Sequence, residues 1–390
     1  MTTKASGLRL AKRLDEVGFS DIVQIRNKVM ALRAAGEKVH MLHGGEPYFE
    51  TPEAIKYAAI QGMVDNQTHY APSSGIAPLR EALATKLTTK NKIPTTPDQV
   101  IATVGGSQAL YGAFQSVLDP GDDALVFSPY WTPIADLIRG AQARPLLVPT
   151  TTARRNGITA TLTEFSTPNT RCIYYNTPQN PSGVVFTRAE AEEVAAFAIK
   201  RDLIVVADEA YEDLVYDSSH FSIASLPGMA ERTITCYTFS KTYAMTGWRG
   251  GYAVAHEPFM AALRKIVLYS TNGVTTFVQC AMLQALRTPE SEIAWRREEY
   301  RKRRDLLVEG LCSVGLICDP PAGAFYAFPN VEKIHKNSRT AAEILLEKAH
   351  IATIPGSVFG AQGEGHLRFG YAISIPEIEA CVEALQRYFA

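Results

Sequence analysis

Short apolar runs alternate with amphipathic stretches between about residue 100 and residue 255. Residues 100–103 read as a strand running into a Gly-Gly turn, and residues 108–118 as a helix closed by Asp119-Pro-Gly. Residues 123–127 and 171–175 read as further strands, and residues 132–139 and 189–200 as helices. The run Leu203-Ile-Val-Val-Ala207 is almost continuously apolar, as in a strand covered on both faces. Residues 233–239 and 251–255 have the same character. This rhythm predicts an α/β fold with a mostly parallel central sheet flanked by helices. The ends differ. Residues 22–35 read as a helix, and beyond about residue 290 the chain is helix-rich, with a long helix over 293–314 and a closing one over 377–388. Residues 325–328 and 366–369 read as short strands. A smaller α+β domain built from both termini follows: residues 1–48 as an arm and part of it, 290–390 as the rest, and 49–289 as the large domain.

A chain of 390 residues exceeds one ordinary core. Its formal net charge of -1 supplies no global field for nucleic acid or an anionic membrane, so neither is expected as a partner. No apolar run is long enough to span a bilayer, and residues 1–13 lack the apolar core of a secretory leader. The cysteines at 172, 236, 280, 312, 318 and 381 follow no zinc spacing and no dense disulfide pattern. No metal site and a reducing, cytoplasmic location are expected. The basic run Arg296-Arg-Glu-Glu-Tyr-Arg-Lys-Arg-Arg304 interleaves glutamates and reads as a solvated helix face.

Four motifs carry chemistry. In Thr238-Phe-Ser-Lys241-Thr a lysine closes a buried strand, and Met245-Thr-Gly-Trp-Arg249-Gly-Gly follows. A lysine in that position becomes a nucleophile if burial lowers its pKa, although a surface loop lysine is the plainer reading of this motif alone. Asp208-Glu-Ala-Tyr211 puts an acid at the C-terminal end of a strand, where open α/β sheets place function. Gly105-Gly-Ser107-Gln108 joins a strand to a helix start, an anion site or simply a tight turn. Tyr175-Asn-Thr-Pro-Gln-Asn180-Pro-Ser-Gly183 is a proline-stiffened loop able to present the Asn180 amide to a cleft.

Together these motifs resemble the class I aminotransferases among the fold-type I pyridoxal-phosphate enzymes, the aspartate aminotransferase-like group. Further matching segments extend the likeness over nearly the whole chain: Gly45-Glu-Pro, His69-Tyr70-Ala-Pro, Pro129-Tyr-Trp131, Gly323-Ala-Phe-Tyr326, Pro355-Gly356 and His366-Leu-Arg368. The resemblance implies pyridoxal 5'-phosphate held as a Schiff base on Lys241, which then serves as general acid/base. Residues 49–289 would be the cofactor-binding domain. Asp208 would keep the ring nitrogen protonated, Tyr211 and Asn180 would bond the ring oxygen, and Trp131 would stack on the ring. Gly106, Ser107, Gln108, Thr238, Ser240 and Arg249 would hold the phosphate, joined by Tyr70 from a second subunit, which implies a homodimer with shared active sites. Arg368, with Asn180, Trp131 and the Gly45 backbone, would bind the substrate carboxylate. The substrates implied are a small amino acid and a 2-oxo acid.

Relatives that use aspartate or prephenate commonly carry lysine where this chain has Ser107, and often aspartate where it has Tyr48 and proline where it has Gly273. A hydroxyl cannot replace a cation toward a distal carboxylate, so the departures point away from a dicarboxylic substrate. Two other functions fit parts of the pattern. A lyase or bond-forming enzyme on the same scaffold, acting on an amino acid such as S-adenosylmethionine, would share the cofactor and differ in which bond breaks. A non-catalytic binding protein would show no spectral response to amino acids.

Overall fold

The computed structural model describes residues 11–18 and 21–390; the first ten residues of the expected N-terminal arm lie outside them. A two-residue strand, β1 (His40–Met41), precedes the main sheet. That sheet comprises β2 (Val100–Val104), β3 (Asp123–Ser128), β4 (Arg144–Pro149), β5 (Thr170–Asn176), β6 (Ile204–Asp208), β7 (Thr233–Thr238) and β8 (Gly250–Val254), in the order β2-β8-β7-β6-β5-β3-β4. Only β8 runs against its neighbours. Its start therefore lies beside the ends of β2 and β7, with Gly250 opposite Val104 and Gly251 opposite Thr238.

Successive strand residues enter different cores, as the two-residue period of a strand requires. Leu125, Phe127, Ile173, Tyr175, Val205 and Ala207 pack on one face of the sheet. Ala124, Val126, Cys172, Tyr174, Ile204 and Val206 pack on the other. Both faces are covered by helices, which is why these strands read as unbroken apolar runs. The edge strand β4 was not apparent in the sequence. Its Arg-Pro start and Pro end look like a loop, and an edge tolerates proline because one side of its ladder is free.

The C-terminal part contains β9 (Tyr326–Ala327), β10 (Ile351–Ala352), β11 (Ile354–Pro355) and β12 (Leu367–Gly370), with β12 between β11 and β9. Helices Glu290–Ser313, Ser338–Ala349 and Ile375–Phe389 share one core with these strands, and with Leu42, Tyr211 and Leu214. Ser374 and Glu377 form a capping box that starts the last helix. The N-terminal part joins through β1, which pairs in parallel with β10, and through Val29 of helix Asp21–Ala34, which packs on Leu346 and Ala352.

The basic run corrects one expectation. Arg297, Arg301 and Lys302 do sit at the surface, but Arg296, Arg303 and Arg304 are buried. Arg304 pairs with Asp217 and Asp305 and lies over the Tyr216 ring. Arg303 pairs with Glu299 and lies 4.5 Å from the Tyr48 ring, while Arg296 pairs with Glu292 and lies over Phe49. Carboxylates and ring faces compensate these guanidiniums for lost water, so the face is a packed seam under the segment 48–49.

Candidate active site

The strand ends at β2, β7 and β8 build a turn that only glycine fits. A Cβ on Gly105 (φ +73°) would lie 2.5 Å from the Arg249 guanidinium, and one on Gly251 would lie 2.4 Å from the Gly105 carbonyl carbon. A Cβ on Gly106 would press on Thr238 at 3.3 Å. The three glycines thus let Arg249 and Thr238 close on the start of helix Gly105–Val117, whose first N–H groups have no partner within the helix. The Thr238 hydroxyl donates to Ser240 Oγ at 2.8 Å. Arg249 donates to the Thr246 carbonyl and is otherwise open to solvent, as is Ser107. Gln108 follows in the same first turn of the helix. Its side chain accepts from Val104 N and donates to Ser270 and Thr271, so it fastens the turn and leaves only its backbone N–H for a ligand.

Lys241 stands across the cleft, its Nζ donating to the Gly45 carbonyl at 2.7 Å. The rings of Tyr211 and Phe325 lie 5.6 and 5.5 Å away. Burial lowers the pKa of Lys241 to about 8; Arg368 and Arg249 push the same way, against Glu46 and Asp208. Asp208 closes β6 and is buried. Its Oδ2 accepts from Tyr174 Oη at 2.7 Å and its Oδ1 from Ala210 N at 3.2 Å. Burial nevertheless pushes its carboxyl up to about 6, because those bonds offset only part of the desolvation. The Tyr211 hydroxyl is 2.8 Å from the Tyr326 hydroxyl. Glu209 faces away from Lys241's side of the strand and collects His220, Ser222 and Tyr237.

Arg368, in β12, is 3% exposed. It donates to Asn180 Oδ1 at 3.1 Å and to the His43 carbonyl at 2.9 Å, and it lies 4.4 Å from the Tyr326 ring. Its Nε is buried without a hydrogen-bond partner, and among the described residues no carboxylate contributes to its environment. A buried guanidinium in that state is a ready site for a carboxylate. Gly45 is wedged here, since a Cβ on it would lie 3.0 Å from the Tyr326 hydroxyl.

The fold therefore brings Gly45, Asn180, Tyr211, Lys241 and Arg368 together through these contacts, with Asp208 and Arg249 close enough to act on Lys241 by charge. Trp131 is half-buried against the core on the helix side of β3. Tyr70 is 93% exposed and is not brought to the cleft of its own chain.

Residues 37–385 match the family described as aminotransferase class I and II. The chain belongs to that family. This aminotransferase is 39% identical to the aspartate/prephenate aminotransferase of Thermus thermophilus, covering 97% of this chain and 98% of the relative. It is 37% identical to aromatic-amino-acid aminotransferase 2 of Thermococcus litoralis, over 97% and 98% of the two chains. The solved aspartate aminotransferase from Thermus thermophilus with maleate superposes with a TM-score of 0.92 at 38% identity, covering 97% of this chain and 99% of that one. The enzyme is a transaminase of the fold-type I architecture, and enzymes of this family depend on pyridoxal phosphate. No helix among the described residues is long and apolar enough to cross a membrane.

No sequence motif marks Tyr174, and Tyr326 stands out only within Gly323-Ala-Phe-Tyr326. Strand alternation carried a signal for Tyr174. It lies two residues before Asn176, which is opposite Asp208 in the sheet, so the two side chains share a face.

Proposed function

We propose that this aminotransferase binds pyridoxal 5'-phosphate at Lys241 and moves an amino group between a small amino acid and a 2-oxo acid. One observation carries the reading. Lys241 is a partly buried and Arg368 a fully buried cation, joined through the Gly45 and Tyr326 region, the first with its pKa lowered to about 8 and the second lacking a carboxylate partner. The glycine cradle fits a phosphate, because a side chain at 105, 106 or 251 would fill the space that brings Arg249 and Thr238 together.

When bound, the cofactor supplies an electron-withdrawing ring that stabilises charge developing at the substrate Cα. Lys241 would be the amine that holds its aldehyde carbon and the base that would move the proton at the substrate Cα. Its lowered pKa keeps both protonation states accessible near neutrality. Asp208 holds a proton at the ring nitrogen. Tyr211 and Asn180 bond the ring oxygen, and Trp131 covers the ring. The backbone N–H groups of Gly106, Ser107 and Gln108, the hydroxyls of Ser107, Thr238 and Ser240, and the Arg249 fork take the phosphate. Arg368 binds the substrate α-carboxylate, with Asn180 and the Gly45 backbone orienting it.

Residues 49–289 form the cofactor-binding domain in this reading, and residues 1–48 and 290–390 the smaller one. The working form is a cytoplasmic homodimer in which Tyr70 reaches the partner's phosphate. Exposed apolar side chains support the dimer. Tyr57, Ile60, Met63 and Val64 line one helix, and Tyr70 and Tyr269 are exposed as well. The preferred amino donor has an uncharged side chain. The charges with most influence on Lys241 are Arg368, Glu46, Asp208 and Arg249, and Ser107 stands where a lysine would supply a further cation.

The test is spectral. The yellow enzyme, mixed with a panel of amino acids, should bleach to the pyridoxamine form and recover on addition of a 2-oxo acid. A panel that consumes amino acids without ever producing that form would favour elimination chemistry and contradict the reading.

A further inference from the structure

Tyr174 is a buried residue of β5 whose ring packs 6.1 Å from that of Phe114. A phenylalanine would fill this space equally well, and a buried hydroxyl is unfavourable unless it has a partner. The partner is Asp208, whose Oδ2 accepts the Tyr174 proton at 2.7 Å. The other groups around Asp208 are accounted for. Ala210 N bonds Oδ1, and Asn176 Nδ2 bonds the Asp208 carbonyl. Cys236 lies opposite Asp208 on β7 and is a buried neutral thiol, its pKa pushed up by burial. Glu209 and Lys241 act on Asp208 by charge, in opposite senses. Tyr174 is thus the one side chain donating a hydrogen bond to this carboxylate among the described residues.

We propose that Tyr174 is a positioning residue that, through Asp208, sets how firmly the proton is held at the cofactor's ring nitrogen. This inference rests on the reading of Asp208 given above. A donor on Oδ2 stabilises the ionised carboxylate and fixes its plane. Without that bond Asp208 becomes more basic and draws the shared proton from the ring nitrogen toward itself. The ring then withdraws electrons less well, and the proton transfer at the substrate Cα slows. The hydroxyl keeps its proton throughout, because burial and the Asp208 charge hold its pKa well above the usual phenol range.

The test uses Tyr174→Phe in the full-length protein. Carboxyl-labelled aspartate resonances, with Asp208→Asn assigning the signal, read the Asp208 titration midpoint in cofactor-free protein. The midpoint should rise by about one pH unit, the scale of one charge-assisted hydrogen bond. In the loaded enzyme kcat should fall by about tenfold with KM nearly unchanged, because the substrate contacts at Arg368 are untouched. A fluorinated tyrosine at position 174, a stronger donor of the same shape, must move the midpoint downward. An unchanged midpoint in both variants would overturn the proposal, as would a shifted midpoint with wild-type kcat; either result makes Tyr174 a core filler. Failure of the parent reading looks different: the wild-type protein would then show no pyridoxal-phosphate absorbance at all.

Discussion

Arg303 and Arg304 lie as deep in this molecule as Arg368, at 4%, 4% and 3% exposure, yet their surroundings differ in kind. Each of the first two meets a carboxylate and an aromatic ring. Arg368 meets an amide oxygen, a carbonyl and rings, with no carboxylate. The lysines repeat the contrast. Burial would lower the pKa of Lys86, but the charges of Glu212 and Asp213 outweigh it and raise the value. For Lys241 burial wins and the value falls to about 8. Depth therefore does not distinguish the proposed site from the scaffold here; the weaker compensation by counter-charge does. The seam under residues 48–49 carries its own counter-charges, whereas Arg368 has no carboxylate among the described residues that contributes to its environment.

The largest effect that tests this contrast is at Lys241. Lys241→Ala should lower kcat at least about a thousandfold, since it removes both the attachment point and the proton carrier. Steady-state turnover measures this, and wild-type turnover would remove the lysine from the mechanism. Next, Arg368→Ala should lower kcat/KM by about a hundredfold for every α-carboxylate donor, a loss on the scale of one charge-assisted bidentate contact. Its thermal midpoint should fall only modestly, because the acceptors left behind, Asn180 Oδ1 and the His43 carbonyl, are neutral. Arg304→Ala should do the reverse, costing about 2 kcal/mol of stability through lost packing on Tyr216 and the lost bond to the Pro321 carbonyl, since Asp217 and Asp305 themselves stay in solvent, and leaving KM unchanged. Denaturant titration alongside kinetics separates the two, and matching profiles would erase the distinction.

A pH experiment sharpens the lysine half. An amine reacts with an aldehyde only after losing its proton, so lowering the pKa brings reactivity into a lower pH range. Attachment of pyridoxal phosphate to the cofactor-free protein should accelerate with a midpoint near pH 8. Lys86 should stay inert over that range, since its pKa moves upward. The smallest expected effect is in specificity. An aromatic or other uncharged donor should exceed aspartate by about tenfold in kcat/KM, equivalent to about 1.4 kcal/mol. Restoring a cation with Ser107→Lys should narrow the gap.

The sequence made the cleft more legible than the elements framing it. Lys241, Asp208, Asn180 and Arg368 each sit in a short motif whose residue types are unusual for their position. Strands β6 and β7 were plain because both faces are covered. Helix Glu53–Val64 went unread, since it carries Tyr57, Ile60, Met63 and Val64 on its exposed side and so shows no clean polar face. The buried arginines of helix Glu290–Ser313 were misread because compensation by Asp217, Tyr48 and Tyr216 comes from distant parts of the chain.

One chemical measurement bears most directly on the claim that the under-compensated lysine is the functional one. Purified enzyme with pyridoxal phosphate is treated with borohydride, digested, and its peptides are weighed. The pyridoxyl mass should appear on the peptide containing Lys241. Its appearance on Lys86, Lys90 or another lysine, with Lys241 unmodified, would contradict the account.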